Sequence, residues 1–294
     1  MNSFQRGWEF LKQSWKMALA DRDLIKPSIY SLIVGFVVSL IAFIPMGVAG
    51  FLLGDTKVGQ PVVYIMGALL IFVQYMVGYI FSAMTVYLIY GYLSEGDGRM
   101  DKAWAIVKRD KWDIASLAAA STLVNLVKGM IKGRGKSGLR NILAGLLDTV
   151  WTEATFLVLP GMVIEDINLK SGLQRATQII KNNLLLVGIS TVGVRAVTGL
   201  IGFLLGVLGI GLGFAAGIGI VSLGGQAPWA WVTGISLGIL IATPFILAAT
   251  IIGSYTMTAY HTCLYLWARD VERAQQGGGI GEVGAPAPLA AVLP

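Results

Sequence analysis

Six long apolar stretches alternate with shorter polar segments along this chain. They run roughly over 28–53, 62–93, 113–131, 141–164, 183–223 and 229–268. A helix that rises 1.5 Å per residue needs about 20 apolar residues to cross the hydrocarbon core of a bilayer. The pattern therefore predicts six transmembrane helices. The second, fifth and sixth stretches are longer than one level crossing requires, so we expect them to tilt, to protrude or to contain a break.

A nine-residue pattern recurs in three of the polar segments. It reads FQRGWEFLK at Phe4–Lys12, MDKAWAIVK at Met100–Lys108 and LQRATQIIK at Leu173–Lys181. Its first, fourth, fifth and eighth positions share one face of a helix, and its basic residues lie on the other side. Such a helix suits the headgroup layer, where its cations meet anionic lipid. The residues predicted to lie at this lipid surface are Trp8, Lys12, Trp104, Lys108, Arg175 and Lys181.

Each copy of the pattern precedes a pair of apolar stretches. The predicted fold is therefore an all-α polytopic membrane protein, with about six transmembrane helices in three repeats of amphipathic surface helix plus membrane hairpin. The repeat units cover about 1–98, 99–168 and 169–274 of a single integral membrane domain, 1–274. Residues 275–294 are rich in glycine, proline and alanine, which predicts a flexible cytoplasmic tail. The alternative is that unrelated juxtamembrane helices share this pattern by chance.

Composition excludes several classes of protein. Hydrophobic residues make up 55% of the chain and charged residues 13%, and the mean hydropathy is +0.73. A soluble domain carries about 25% charged residues because its whole surface faces water. A soluble globular enzyme, a disordered protein and a disulfide scaffold are therefore excluded by composition, and a membrane protein is favoured.

The basic residues predict an orientation. The net charge is +6, and lysine and arginine beside membrane spans report topology more often than nucleic-acid binding, so no nucleic-acid partner is predicted. The N-terminal segment, 94–112, 166–182 and the flank at Arg269 and Arg273 are basic and lie on one side after six crossings. We expect this side to be the cytoplasm, with both termini there and the protein in the cell inner (cytoplasmic) membrane. The opposite loops near 55–57 and 224–228 are nearly uncharged.

One loop opposes this orientation. Residues 128–140 hold five lysines and arginines, and six crossings put them outside. Either this loop is an exception to the positive-inside rule, or 113–131 and 141–164 form a hairpin that does not fully cross. The apolar run of 141–164 favours full crossing.

Two charged residues fall deep inside predicted spans. Glu153 lies about 12 residues before the end of its span and Arg195 about 12 residues after the start of the next, so both are roughly 18 Å deep. Intramembrane charges are costly unless they are paired. We therefore predict a Glu153–Arg195 charge pair, which is either an ion or proton site or a structural pair that sets helix register.

Other polar residues carry less chemistry. Gln74 and Asn125 are predicted to form hydrogen bonds between helices. The single histidine, His261, and the single cysteine, Cys263, are too few for a metal site or an internal disulfide, and His261 is predicted to be a hydrogen-bonded packing residue. The chain has no zinc-protease motif and no nucleophile elbow. We expect no catalytic residues, no enzyme activity, no metal and no cofactor.

Glycines at four-residue spacing predict close helix contacts in the last two apolar stretches. The pairs are Gly202-x3-Gly206, Gly213-x3-Gly217 and Gly234-x3-Gly238. Such pairs make flat faces that let helix backbones approach. Packing within the chain is the favoured interpretation. The alternative is a homo-oligomer or membrane-protein partner bound through these helices, or a re-entrant segment.

A tryptophan-to-proline segment in the fourth stretch carries a family resemblance. It has the form W-x-x-A-T-F-x-x-x-P followed by acidic residues, here Trp151, Ala154, Thr155, Phe156, Pro160, Glu165 and Asp166. With the amphipathic N-terminal helix, it resembles uncharacterised six-helix prokaryotic integral membrane proteins, over most of the chain up to about residue 200. It is also distantly similar to the membrane domain attached to some glycerophosphodiester phosphodiesterases. This chain lacks their acid- and histidine-rich catalytic domain, so the resemblance implies a fold and not that activity.

Two functions are compatible with this sequence. The first is a non-enzymatic channel or transporter for a small solute or ion that uses the intramembrane charges. The alternative is a membrane-organising scaffold or an accessory subunit of a larger complex. A transporter requires a polar path to Glu153, whereas a scaffold requires a sealed pair and a free apolar surface.

Overall fold

The fold is entirely helical in the part of the chain that the structure describes. This computed structural model describes residues 2–53, 56, 58–133, 138–182, 184–224, 227–276 and 283–290. The helices are α1 (Ser3–Ala20), α2 (Lys26–Leu53), α3 (Gly59–Glu95), α4 (Met100–Arg109), α5 (Lys111–Gly133), α6 (Gly138–Glu165), α7 (Leu169–Asn182), α8 (Leu184–Gly224), α9 (Pro228–Gln276) and α10 (Ala287–Ala290), with a short 3-10 helix at Arg22–Leu24.

Six of these helices, α2, α3, α5, α6, α8 and α9, are long and apolar enough to cross a membrane. The predicted all-α fold with six such helices is therefore confirmed. The three longest, α3, α8 and α9, have 37, 41 and 49 residues and are continuous. A 49-residue helix is about 74 Å long. Because this far exceeds a hydrocarbon core of about 30 Å, α9 must tilt or protrude and contains no break.

The three shorter helices α1, α4 and α7 cover the three copies of the nine-residue pattern, and each precedes two long helices. The predicted apolar face of each of these helices has one buried edge and one exposed edge. The fourth position of the pattern is buried in every copy, where it holds Gly7, Ala103 and Ala176. The fifth position is exposed in every copy, where it holds Trp8, Trp104 and Thr177. One edge of each helix thus packs on protein and the adjacent edge does not.

The helices group into two compact units. Unit 1 contains Met1–Met17, Leu185–Tyr260 and Ala287–Pro294, and unit 2 contains Ala18–Leu184 and His261–Pro286. These boundaries differ from those of the three predicted repeat units, because spatial contacts and sequence periodicity are separate properties. The predicted repeat units therefore stay a prediction.

Unit 1 packs α1 against α8 and α9 through small residues and aromatic rings. A Cβ on Gly7 would clash with the Gly193 carbonyl, and a Cβ on Gly193 would clash with the Ser3 carbonyl. Phe10 contacts the edge of Tyr260 at 5.3 Å between ring centroids. The Tyr255 hydroxyl donates to the backbone carbonyl of Ser14 at 3.0 Å.

The hairpin of α8 and α9 closes on two of the predicted glycine pairs. A Cβ on Gly217 would lie 2.9 Å from the Gly234 carbonyl oxygen, and one on Gly238 would lie 2.9 Å from the Gly213 carbonyl oxygen. Packing within the chain is therefore confirmed for these four glycines. The third pair differs, because a Cβ on Gly202 or on Gly206 would meet nothing within 4 Å.

Unit 2 contains the hairpin of α2 and α3, the hairpin of α5 and α6, helices α4 and α7, and the last part of α9. Its buried side chains concentrate on one end of each long helix, where α3 contributes Ala83–Ile89 and α6 contributes Leu157–Val163. The other ends expose apolar side chains, among them Phe51 and Leu69. Exposed apolar ends of this kind suit helices surrounded by lipid.

Some predicted segments lie partly outside the described residues. These are the loop near 55–57, the basic loop at 134–137, part of the loop 224–228 and half of the tail 275–294. Within the tail, residues 275–276 belong to α9, and Pro288 and Leu289 of α10 are buried.

Candidate functional site

An acid–histidine contact lies within unit 2, between α6 and the last part of α9. The Nε2 atom of His261 is 3.1 Å from Oε2 of Glu153. The His261 side chain is 1% exposed and that of Glu153 is 18% exposed. Phe156 stacks on the imidazole, with ring centroids 4.5 Å apart and planes inclined by 10°. Glu153 and Phe156 both reach His261 because residues three apart share a helix face.

This contact suits proton binding. Histidine is the side chain whose ordinary pKa lies nearest to physiological pH, and a carboxylate partner fixes its orientation and accepts a proton from its ring. An imidazolium–carboxylate pair and a neutral imidazole beside a carboxylic acid have the same total charge. The pair is therefore neutral overall when it holds one proton, and only the loss of this proton leaves a net charge of −1 within the membrane-spanning helices.

A second polar cluster lies in unit 2, where the ends of α6 and α9 meet α7. The Arg175 guanidinium forms an ion pair with Glu272, and its Nε lies 3.6 Å from Oε2 of Glu165. These residues line a cavity of about 370 Å³ together with Ile164, Arg269, Arg273 and Gln276. Arg269 also lies over the ring of Tyr90, 5.8 Å from its centroid.

The electrostatics of Arg175 reflect this enclosure. Burial lowers the pKa of its guanidinium, but the hydrogen bond to Glu272, the interaction with Tyr265 and the charge of Glu165 outweigh burial and leave the pKa raised. Arg175 therefore stays charged and holds three elements together. Its side chain is 19% exposed. This differs from the sequence-based expectation, which assigned Arg175 to lipid headgroups.

The other predicted lipid-surface residues are exposed. Trp8, Lys12, Trp104, Lys108 and Lys181 all have accessible side chains. In α4 the Lys108 ammonium lies over the Trp104 ring, 5.8 Å from its centroid. Sequence reasoning missed a second pair of this kind at the start of α5, where Lys111 lies over Trp112 at 5.7 Å and Trp112 is 76% exposed. Contact of these residues with lipid stays a prediction.

Glu153 and Arg195 belong to different units. Glu153 lies in α6 of unit 2 and Arg195 in α8 of unit 1. Their pairing stays a prediction. The hydrogen bond predicted for His261 is present, but its partner was missed. The last predicted span ends at 268, close to His261, whereas α9 continues to Gln276.

The polar residues inside the long helices of unit 2 bond between helices as predicted. The Gln74 amide nitrogen donates to the Gly35 carbonyl at 3.0 Å and to Ser39 at 2.7 Å. The Asn125 amide donates to the Tyr75 hydroxyl at 3.2 Å. These bonds connect α3 to α2 and to α5, so they satisfy half-buried polar groups and align the helices.

The Trp151 indole of the segment that carries the family resemblance is anchored to α5. It donates to the Ser121 hydroxyl at 2.9 Å, and this hydroxyl also lies 2.7 Å from Tyr79 Oη. No protein-family model and no curated protein matches this chain. The resemblance to uncharacterised six-helix membrane proteins therefore stays an expectation. By helix length and hydropathy, the chain is a multi-pass membrane protein.

Proposed function

We propose that this chain is a non-enzymatic channel or transporter of the cytoplasmic membrane, for a small solute or ion, and that its cycle includes protonation at Glu153 and His261. The observation that carries the proposal is the 3.1 Å contact between these two side chains within membrane-spanning helices. Ionisable groups at such positions are costly, and they commonly mark ion or proton pathways.

The polar cavity beside Arg175 supports the same proposal. It is lined by residues of α6 and α9, the two helices that carry Glu153 and His261. Glu165 follows Glu153 by about 18 Å along α6, roughly half of the bilayer core. One end of unit 2 thus combines a polar cavity with a protonatable pair farther along the same helices, in which His261 is buried and Glu153 is half-buried.

The proposal also includes a topology and a set of partners. Both termini and the amphipathic helices α1, α4 and α7 are on the cytoplasmic side, and anionic headgroups contact their exposed tryptophans and lysines. The support is the exposure of Trp8 and Trp104 on the helix edges that do not pack on protein. Tryptophan and lysine are the residues that membrane interfaces favour.

A proteoliposome assay tests the proposed function. The purified chain is reconstituted into vesicles that contain pyranine, and a potassium gradient with valinomycin drives protons inward. We expect acidification faster than in protein-free vesicles, and loss of the increment in Glu153→Gln and in His261→Gln. Asp148→Asn is the matched control, because it makes the same chemical change on α6 at a carboxylate that is paired with Lys128 and largely exposed. Equal rates with and without the protein would refute the proposal.

A scaffold or accessory subunit is the second candidate. Gly202 and Gly206 on α8 favour it, because a Cβ at either position would meet no neighbour within 4 Å. A small-residue face of this kind accepts a second helix closely. One variant separates the two candidates. Gly202→Leu should change the oligomeric state or the partner binding of a scaffold, and it should leave the proton flux of a transporter unchanged.

A further inference from the structure

Tyr265 lies between the two polar sites of unit 2. It is fully buried in α9, one helical turn after His261. Its hydroxyl lies close to α6 at Gly161, where an added Cβ would come within 3.1 Å of Oη. Residues four apart share a helix face, so His261 and Tyr265 lie along one line of α9.

The Tyr265 hydroxyl also belongs to the surroundings of the ion cluster. It interacts electrostatically with Arg175 and with Glu165. Yet, among the residues that the structure describes, no partner meets strict hydrogen-bond geometry with this buried oxygen. Buried hydroxyls in proteins are nearly always bonded, and an exception calls for an explanation such as a catalytic role or a bridging water.

We propose that protons reach Glu153 and His261 from the Glu165–Arg175–Glu272 cavity by way of the Tyr265 hydroxyl. This inference rests on the proposed function, since it names the route to the same protonation site. The Tyr265 oxygen accepts a proton from the cavity side and releases its own proton toward His261, so the tyrosine ends neutral and one proton has moved. Only O–H and N–H bonds break and form. His261 and Tyr265 are four residues apart, about 6 Å of rise along α9, and the route requires water to carry the proton between the hydroxyl and the imidazole.

Gly161 has a defined place in this route. The nearest atoms to a Cβ at this position are Tyr265 Oη at 3.1 Å and the Ile167 side chain at 3.3 Å. The missing side chain therefore leaves the space that the hydroxyl occupies. A Cβ at this position would require the hydroxyl to give way by a few tenths of an ångström.

The chain has one histidine, which makes the route measurable. Protein labelled with ¹⁵N only at histidine and reconstituted in lipid nanodiscs reports exchange of the His261 ring N–H with water. We expect Tyr265→Phe to slow this exchange on the order of tenfold or more, because a proton-transfer group typically contributes 10²–10⁴-fold to a rate. Tyr87→Phe, a tyrosine of α3 in the same unit, is the matched control and should exchange at the wild-type rate.

One further variant keeps the test decisive. If Tyr265→Phe does not fold, Glu165→Gln removes the carboxylate that takes up protons in the cavity and passes them to the tyrosine, and it should slow the exchange as well. Wild-type exchange in a folded Tyr265→Phe or Glu165→Gln protein would overturn the route. The measurement uses no gradient and no solute. If the variants slow the exchange but the wild-type protein shows no proton flux, the transport function is contradicted and the route is kept. If the wild-type protein shows flux but the variants leave the exchange unchanged, the route is contradicted and the transport function is kept.

Discussion

The only histidine of the chain, His261, is held against Glu153 with Nε2 and Oε2 3.1 Å apart. The contact joins α6 to the last part of α9 inside unit 2, and Phe156 covers the imidazole. An acid and a base in contact at a buried position cost more to separate than a similar pair at the surface. Replacing one of the two side chains leaves the other without this contact, so a single replacement should lower the free energy of unfolding more than the loss of the contact alone.

Replacing Glu153 should destabilise the fold strongly. We expect Glu153→Gln to cost on the order of 3–5 kcal/mol of unfolding free energy, since it removes one partner from a buried polar contact. Thermal unfolding in one detergent, compared among single and double variants, measures the cost. If the predicted Glu153–Arg195 pair exists, Glu153→Gln with Arg195→Gln should be more stable than Glu153→Gln alone. Strictly additive losses would refute the pairing with Arg195.

The glycines of α8 should respond to alanine in opposite directions. Gly217→Ala puts a Cβ 2.9 Å from the Gly234 carbonyl oxygen, which a backbone cannot easily avoid, and we expect a loss of about 1–3 kcal/mol. Gly202→Ala meets open space, and we expect a gain of about 0.5–1 kcal/mol from helix propensity alone. Thermal unfolding of the two variants measures both changes. Similar losses at both positions would mean that Gly202 contacts a partner.

Trp104 should lie at the depth of the lipid headgroups. In a Cys263→Ser background, a nitroxide at position 104 should be accessible to oxygen dissolved in the bilayer. A nitroxide at position 102 should be accessible mainly to a water-soluble nickel complex, because Lys102 lies on the opposite face of the same helix, where its Nζ is 3.0 Å from Oε2 of Glu95. Equal accessibility profiles at the two positions would refute an interfacial α4. The depth follows from the preference of indole rings for the membrane interface.

Cysteine labelling should define the topology. In intact cells, cysteines at positions 12, 102 and 181 should resist a membrane-impermeant maleimide and react after permeabilisation. All three positions lie in the amphipathic helices α1, α4 and α7, which are proposed to be on the cytoplasmic side. A cysteine at position 132, on the exposed end of α5, should react in intact cells if α5 and α6 cross fully. Protection there would identify a hairpin that returns to the side of entry.

The sequence alone determined the helices and their class. A run of about 20 apolar residues is long enough to cross a bilayer as a helix, so hydropathy predicted six long helices. The spacing of apolar residues in α1, α4 and α7 predicted three amphipathic ones. A polar side chain such as Gln74 in an apolar helix finds few hydrogen-bond partners except on a neighbouring helix, so these bonds between helices were predictable as well. Such inferences hold because they depend only on local composition and periodicity.

Only the tertiary structure decided which side chains meet. Arg175 has the same place in the nine-residue pattern as Arg6 and Lys102, yet it lies between Glu165 and Glu272, because α7 packs on the ends of α6 and α9. His261 bonds to Glu153 across more than a hundred residues of chain. Helix periodicity states which residues share a face of one helix. The rotation and the depth of that helix against its neighbours depend on the packing of the whole unit, which sequence periodicity does not contain.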